Sequence, residues 1–307
     1  MLTKEQLELR KAGIGASEIA AVCGVNPYRS ALDVWMVKTS RQEPFAGNVA
    51  TEWGTRLEAS VLAKYADAHS VTVERGVVTY HCKDESWMLA TPDGFVVTEP
   101  HYGLEVKTAG ARSAWRWGQE GDDMPEEYLL QIAWSCAVLG YQRWDLAVLI
   151  GGQDYREYRY DRDMALEERL IELGREFWQC VVNDTPPEPD ASQSASEALA
   201  RLYPKNILDI KESTGEINDA LEGLIAAKAT VKIAATKQLG FENQIKAFIK
   251  DADGVEGPTT RATWRATKSS HWTDWETIAG ELGASKDVIK AHTIEKPGVR
   301  RFYVREK

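Results

Sequence analysis

"ATPDGFVVTEPHYGLEVKT", residues 90–108, reads as two short apolar strands joined by a turn, with three charges set into them. A half-buried hairpin alternates apolar and polar residues with period two. Here Glu105 and Lys107 stand two apart, so both leave the same face of "LEVKT", while Leu104 and Val106 face the opposite layer. Asp93 stands at the turn between Pro92 and Gly94, and pairing of the two strands would bring it beside Glu105. Two carboxylates at contact distance repel and raise each other's proton affinity unless a cation lies between them.

Oxygen donors of this kind suit Mg²⁺ or Mn²⁺, which keep waters and recruit phosphate oxygens. A lysine next to such a cation can orient or deprotonate an attacking water and stabilise charge developing on phosphorus. Those are the parts needed to hydrolyse a phosphodiester. The spacing alone also fits a P-D-G turn followed by a solvated Glu–Lys pair. The apolar residues flanking the trio favour a largely buried sheet. Glu58, on the helix expected over 52–68, is a third carboxylate near the strand edge, though its composition also fits an ordinary exposed helical glutamate.

Outward from this hairpin the pattern is α/β. "GIGASEIAAVCGVNPYRSALDVWMVKT" predicts turn, helix, turn, helix, with Ser17 as the first cap and Gly24 as the first stop. "VTVERGVVTY", "WMLATPDGFVV" and "YGLEVKT" predict three strands, and "EEYLLQIAWSCAVLG" a largely buried helix ended by Gly140. Two more strands, "RWDLAVLIGG" and "DYREYRYDRD", and a helix over 163–182 follow. The order indicates a mixed sheet flanked by helices.

The composition changes at "NDTPPEPDASQSAS", rich in Pro, Ser and acid. We therefore expect a core over 1–183, a linker over 184–211, a helical arm over 212–250 and a small basic unit over 251–307. The arm carries Ile217, Leu221, Leu224, Ile225, Ala229 and Ile233 as its apolar stripe and suggests a hairpin or coiled coil.

Net charge is −10, but it is segregated: 184–223 holds nine acidic against three basic residues, whereas 257–307 holds ten basic against six acidic. The total therefore does not exclude a nucleic-acid groove. Arg261, Arg265, Lys268, Arg300, Arg301 and Arg305, with Trp264 and Trp272, fit either a solvated surface or an auxiliary DNA contact. Cys23, Cys82, Cys136 and Cys180 lie far apart without C-x-x-C spacing, so reduced thiols are expected. No apolar run approaches the ~18 residues of a membrane span, and the charged N-terminus lacks a signal-peptide core.

The ordered motifs "GIGASEIAAVCGVNPYRS", "WGTRLEASV", "ATPDGF", "GLEVKT" and "EEYLLQIAWS" resemble the YqaJ-type viral recombinases, which belong with phage lambda exonuclease in the PD-(D/E)xK nuclease superfamily. The resemblance spans residues 8–182. It implies a restriction-endonuclease-like core, Mg²⁺ dependence, 5′-to-3′ digestion of linear double-stranded DNA and a ring-shaped homotrimer. It also implies a phage or prophage origin, a cytoplasmic setting and a single-strand annealing protein as partner.

Residue by residue, the resemblance implies Asp93, Glu105 and the Val106 carbonyl as metal ligands, with Glu58 completing the site. Lys107 matches the lysine that handles the nucleophilic water, and Gln131, one turn after Tyr128, a glutamine near the scissile phosphate. Arg10 matches the arginine on the terminal 5′-phosphate and Ser17 a hydroxyl beside it, while Arg29 in "NPYRS" competes for that phosphate. A guanidinium beside a helix N-terminus suits an anion on physical grounds too. Trp115 or Arg116 could wedge the duplex end from the loop that follows Lys107, or pack into the core. The alternatives are an endonuclease of the same superfamily and a non-catalytic DNA-end-binding protein.

Overall fold

The computed structural model describes residues 10–76, 78–118, 123–206, 209–267 and 274–292. These residues fall into two compact units, Met1–Tyr203 and Pro204–Lys307.

The first unit begins with β1 (Ile14–Gly15), α1 (Ala16–Val22), α2 (Ala31–Lys38) and α3 (Val49–His69). Then come β2 (Thr72–Arg75), β3 (Tyr80–His81), β4 (Met88–Ala90), β5 (Gly94–Val97) and β6 (Tyr102–Ala109). A 3₁₀ turn (Ala111–Arg116) leads to α4 (Glu126–Leu139), β7 (Arg143–Ile150), β8 (Asp154–Asp161), α5 (Met164–Val182) and α6 (Gln193–Leu202).

The main sheet has the order β2-β5-β6-β7-β8; only β6 and β7 run parallel. This is the mixed sheet flanked by helices that the element order implies. On one face α3 packs Val61, Leu62 and Tyr65 against Val96, Leu104, Val106 and Ala147. Leu104 and Val106 thus point away from Glu105 and Lys107, as the two-residue period requires. On the other face Leu146, Val148 and Tyr158 meet Trp117, with Tyr128 packed against them. The α1, α2, α4 and α5 helices enclose a larger core around Ile19, Trp35, Trp134 and Trp144.

Two of the expected strands are each two strands. "VTVERGVVTY" splits into β2 and β3, and "WMLATPDGFVV" into β4 and β5. Each pair is divided between two sheets: β2 and β5 lie in the main sheet, whereas β3 and β4 join β1 in a three-stranded sheet of order β1-β4-β3. Both segments change sheet at one place, where the Gly76 N–H donates to the Asp93 carbonyl at 2.9 Å. A Cβ on Gly76 would stand 2.0 Å from the Pro92 carbonyl oxygen, so only glycine permits the approach.

The expected linker contains a helix. In α6 Ala195 and Ala198 are fully buried, and Leu199 and Leu202 pack against the main core. Asp33 on α2 accepts hydrogen bonds from the hydroxyls of Ser30 and Ser194 and from the Arg201 guanidinium. The Ser/Ala/acid composition hides a stripe at helical spacing, whose small residues allow close packing.

The second unit contains the arm as one helix, α7 (Gly215–Ile249), 35 residues and therefore about 52 Å long. An antiparallel pair, β9 (Gly254–Glu256) and β10 (Arg261–Thr263), and short helices α8 (Trp275–Glu281) and α9 (Lys286–Ala291) follow. Arg265 pairs with Asp253 at 3.1 Å, and Trp264 is half-exposed. Lys268, Trp272, Arg300, Arg301, Arg305 and the strand expected in "RRFYVRE" lie outside the described residues. Among the described residues, no helix is long and apolar enough to cross a membrane.

Candidate active site

The site forms where β5 stops. Its pairing with β6 runs from Val96↔Tyr102 to Gly94↔Leu104, so the edge of β6 beyond Leu104 has no β5 partner. Asp93, one residue before β5, closes this notch with its side chain. Its Oδ2 accepts the Val106 N–H at 2.8 Å. The Val106 carbonyl leaves the same edge of the strand as its N–H. The expected proximity of Asp93 and Glu105 therefore arises through a backbone hydrogen bond to the residue between Glu105 and Lys107.

Glu105 is almost fully buried. Its Oε1 accepts from Lys107 Nζ at 2.5 Å and from Gln131 Nε2 at 2.5 Å. Burial and the Glu105 charge push the Asp93 carboxyl well above the usual carboxylate range, and Glu58 adds in the same direction. Lys107 and the Val106 N–H oppose this without reversing it. Burial would lower the Lys107 ammonium, but Glu105 and Asp93 outweigh it and hold it above its ordinary value. Lys107 is thus a firmly protonated cation beside two carboxylates in partial conflict.

Tyr128 and Trp117 set the wall behind Lys107. The Lys107 ammonium sits 5.3 Å from the Tyr128 ring centroid, and Tyr128 stacks on Trp117 at 5.2 Å with an interplanar angle of 17°. Arg116 is bound to Glu127 at 2.7 Å, while Trp115 stands exposed on the 3₁₀ turn. Of the crowded aromatics in this segment, Trp117 and Trp134 are core.

Glu58 reaches the same cleft of about 670 Å³ as Asp93, Val106 and Lys107. Its carboxylate is engaged by Arg75, at 2.7 Å from Nη2. Among the described residues, no three His, Cys, Asp or Glu side chains converge as a ready cation cage. Asp93 and the Val106 carbonyl stand beside Glu105, and Glu58 borders the same cleft in contact with Arg75. That oxygen-only set, with one carboxyl raised by its neighbour, fits a hard divalent cation. Arg75 is the competitor for the third carboxylate.

Arg10 and Arg29 line a second cavity of about 210 Å³. Arg10 Nη2 donates to Ser17 Oγ at 2.8 Å, and Arg10 Nε is buried with no hydrogen-bond partner among the described residues. Ser17 is not the helix cap. Gly15 holds that position, and Glu18 accepts the Gly15 N–H at 2.9 Å. Buried Glu18 also binds Lys38 at 2.6 Å and faces Arg29 at 3.5 Å. Burial would raise the Glu18 carboxyl, but Lys38, Arg29 and Arg10 hold it below its ordinary range. Lys38 donates to the Arg10 carbonyl as well. Sequence reasoning missed Glu18 and Lys38. Their signal was a pair of charges on the apolar faces of two short predicted helices.

The unit is an α/β fold whose mixed sheet carries an aspartate at an open notch and E-x-K on the adjacent strand. Residues 5–142 match the family model of the YqaJ-like viral recombinase domain. It is 26% identical over 315 residues to YqaJ of Bacillus subtilis (strain 168), covering all of this chain and 95% of that protein. Among solved structures it is similar to an alkaline exonuclease from Laribacter hongkongensis, with 20% identity and a TM-score of 0.48. That match covers 59% of this chain and 94% of the other. A phage-related exonuclease from Haemophilus somnus 129PT is similar at 8% identity and a TM-score of 0.43, covering 56% and 96%.

Proposed function

We propose that this protein is a divalent-metal-dependent exonuclease that digests linear double-stranded DNA from 5′ ends, exposing single strands for phage-type recombination. The observation that carries the reading is the Asp93–Glu105–Lys107 constellation at the β5 notch, in a unit that also holds a cavity lined by Arg10 and Arg29.

A divalent ion bound by Asp93, Glu105 and the Val106 carbonyl would act as Lewis acid on the phosphate and lower the pKa of the attacking water. Lys107, whose Nζ stands 2.5 Å from Glu105 Oε1, serves as donor and positive charge toward that water and the phosphate oxygens. Gln131 fixes the Glu105 carboxylate by its hydrogen bond to Oε1. Arg10 and Arg29, with Ser17, bind the terminal 5′-phosphate, and Lys38 with Glu18 braces them from behind. Glu58, which Arg75 holds at 2.7 Å, would be the third carboxylate of the metal site.

Mg²⁺ is the assigned ion, with Mn²⁺ substituting. The likeness to the YqaJ-like domain supports a single-strand annealing protein as partner, a homotrimer as working form and a cytoplasmic setting. The test is a gel assay of 5′-labelled linear and covalently closed circular duplex, with and without Mg²⁺. Mg²⁺-dependent loss of the linear species alone is the expected result. Cleavage of the closed circle would instead establish an endonuclease, and inertness on both would leave an end-binding protein.

A further inference from the structure

Two aromatic side chains stand in water beside this site: Tyr28 is 74% exposed and Phe45 is 72% exposed. Single exposed aromatics are ordinary on protein surfaces. These two are placed together. Both line the cleft of Asp93, Val106 and Lys107. Phe45 also lines the cavity of Arg10, Arg29 and Lys38, so one ring borders both the cation-rich cavity and the cleavage centre. Tyr28 is the chain neighbour of Arg29, and its turn is fixed by the Tyr28 N–H donating to Asn26 Oδ1 at 2.9 Å.

Neither ring packs into the core, and neither phosphate-binding nor cation-binding chemistry has a use for them. Flat apolar faces between two phosphate positions suit the bases of unpaired nucleotides, which offer a π-face whatever their sequence. We propose that Tyr28 and Phe45 form a stacking platform for the unpaired nucleotides at the 5′ end, between the terminal phosphate held by Arg10 and Arg29 and the phosphate cut at Asp93 and Glu105. The inference rests on the nuclease reading for those two phosphate positions. The charge pattern selects the occupant: cations at one end of the path and a cation-seeking carboxylate pair with Lys107 at the other match a strand with phosphates at both ends.

The test is a double-substitution cycle on the full chain without turnover, in Ca²⁺. The probes are 5′-phosphorylated single-stranded oligonucleotides carrying either bases or abasic sites at the first two positions. In the wild type the abasic probe should bind about ten-fold more weakly. Tyr28→Ala/Phe45→Ala should bind the normal probe about ten-fold more weakly and show no further loss with the abasic one. Tyr28→Phe and Phe45→Tyr, which keep the rings, should retain the base dependence. Equal wild-type binding of both probes, or undetectable binding of either, overturns the platform. So does full base dependence in the double variant. Light scattering of the same variants covers the rival occupant: a change in subunit number would assign the rings to contact with a second copy instead. Failure of the nuclease reading shows separately, as wild-type protein inert on linear duplex in Mg²⁺.

Discussion

Lys107 and Gln131 donate to the same oxygen, Oε1 of Glu105, at 2.5 Å each, from a strand and from a helix. One buried carboxylate is thereby fixed from two elements. The lysine supplies charge as well as a hydrogen bond, whereas the glutamine supplies position alone. Lys107→Ala should therefore lower the rate of Mg²⁺-dependent digestion by about 10²–10³-fold, with DNA affinity largely kept. Gln131→Ala should cost less and act on kcat more than on KM. Steady-state kinetics on linear duplex compares the two, and full activity of Lys107→Ala would remove the mechanism.

Asp93 and Glu105 oppose each other when no cation lies between them. Asp93→Asn keeps an acceptor for the Val106 N–H and removes the repulsion, so its melting temperature without metal should equal or exceed that of the wild type. Mg²⁺ at about 100 times its Kd should stabilise the wild type by about 2.7 kcal/mol. The variant should gain none of this, as read by thermal denaturation with Mg²⁺ or EDTA.

Arg10 and Arg29 share one cavity. Each single alanine substitution should reduce the preference for 5′-phosphorylated over 5′-hydroxyl ends, and the double substitution should abolish it. Competition digests of the two ends measure this. A double variant with unchanged preference would move the terminal phosphate elsewhere.

Glu18 has its carboxyl depressed below the ordinary 4.5 in the folded protein, because Lys38, Arg29 and Arg10 outweigh its burial. The unfolded chain therefore binds the proton first. This stabilisation is complete above the ordinary value and is lost as pH falls through the depressed one, so urea stability should drop steeply from about pH 4.5 downward. Glu18→Gln should flatten that part of the curve. It should also cost about 3–5 kcal/mol at neutral pH by leaving Lys38 buried without its counter-charge.

Gly76→Ala should cost about 1–3 kcal/mol, since the new methyl forces the Pro92 peptide away. The same shift displaces Asp93, so activity should fall together with stability. A variant with normal stability and lost activity would show that the displacement is confined to the site.

The period of two in "LEVKT" was enough to place Glu105 and Lys107 on one face, and the split of Leu104 and Val106 to the other face follows from the same rule. The sheet change at Pro92 was not legible, because β4 and β5 are continuous in composition and only a contact with Gly76, sixteen residues upstream, separates them. Glu18 and Lys38 were hidden for a related reason: two charges on short helices look solvent-facing until folding brings them together. The α6 helix was lost to its composition, since Ser, Ala and acid describe a linker as well as they describe a helix with a narrow alanine stripe. Arg75 is the other omission, because its hold on Glu58 joins a strand to a helix without any local pattern.

The three-stranded sheet touches both ends of the proposed path. Through β1 it carries Gly15 and the helix of Ser17 and Glu18; through β4 it runs straight into the Pro92–Asp93 corner. On the nuclease reading this sheet is a common frame. The gripped end and the cut bond are then tied to one set of hydrogen-bonded strands.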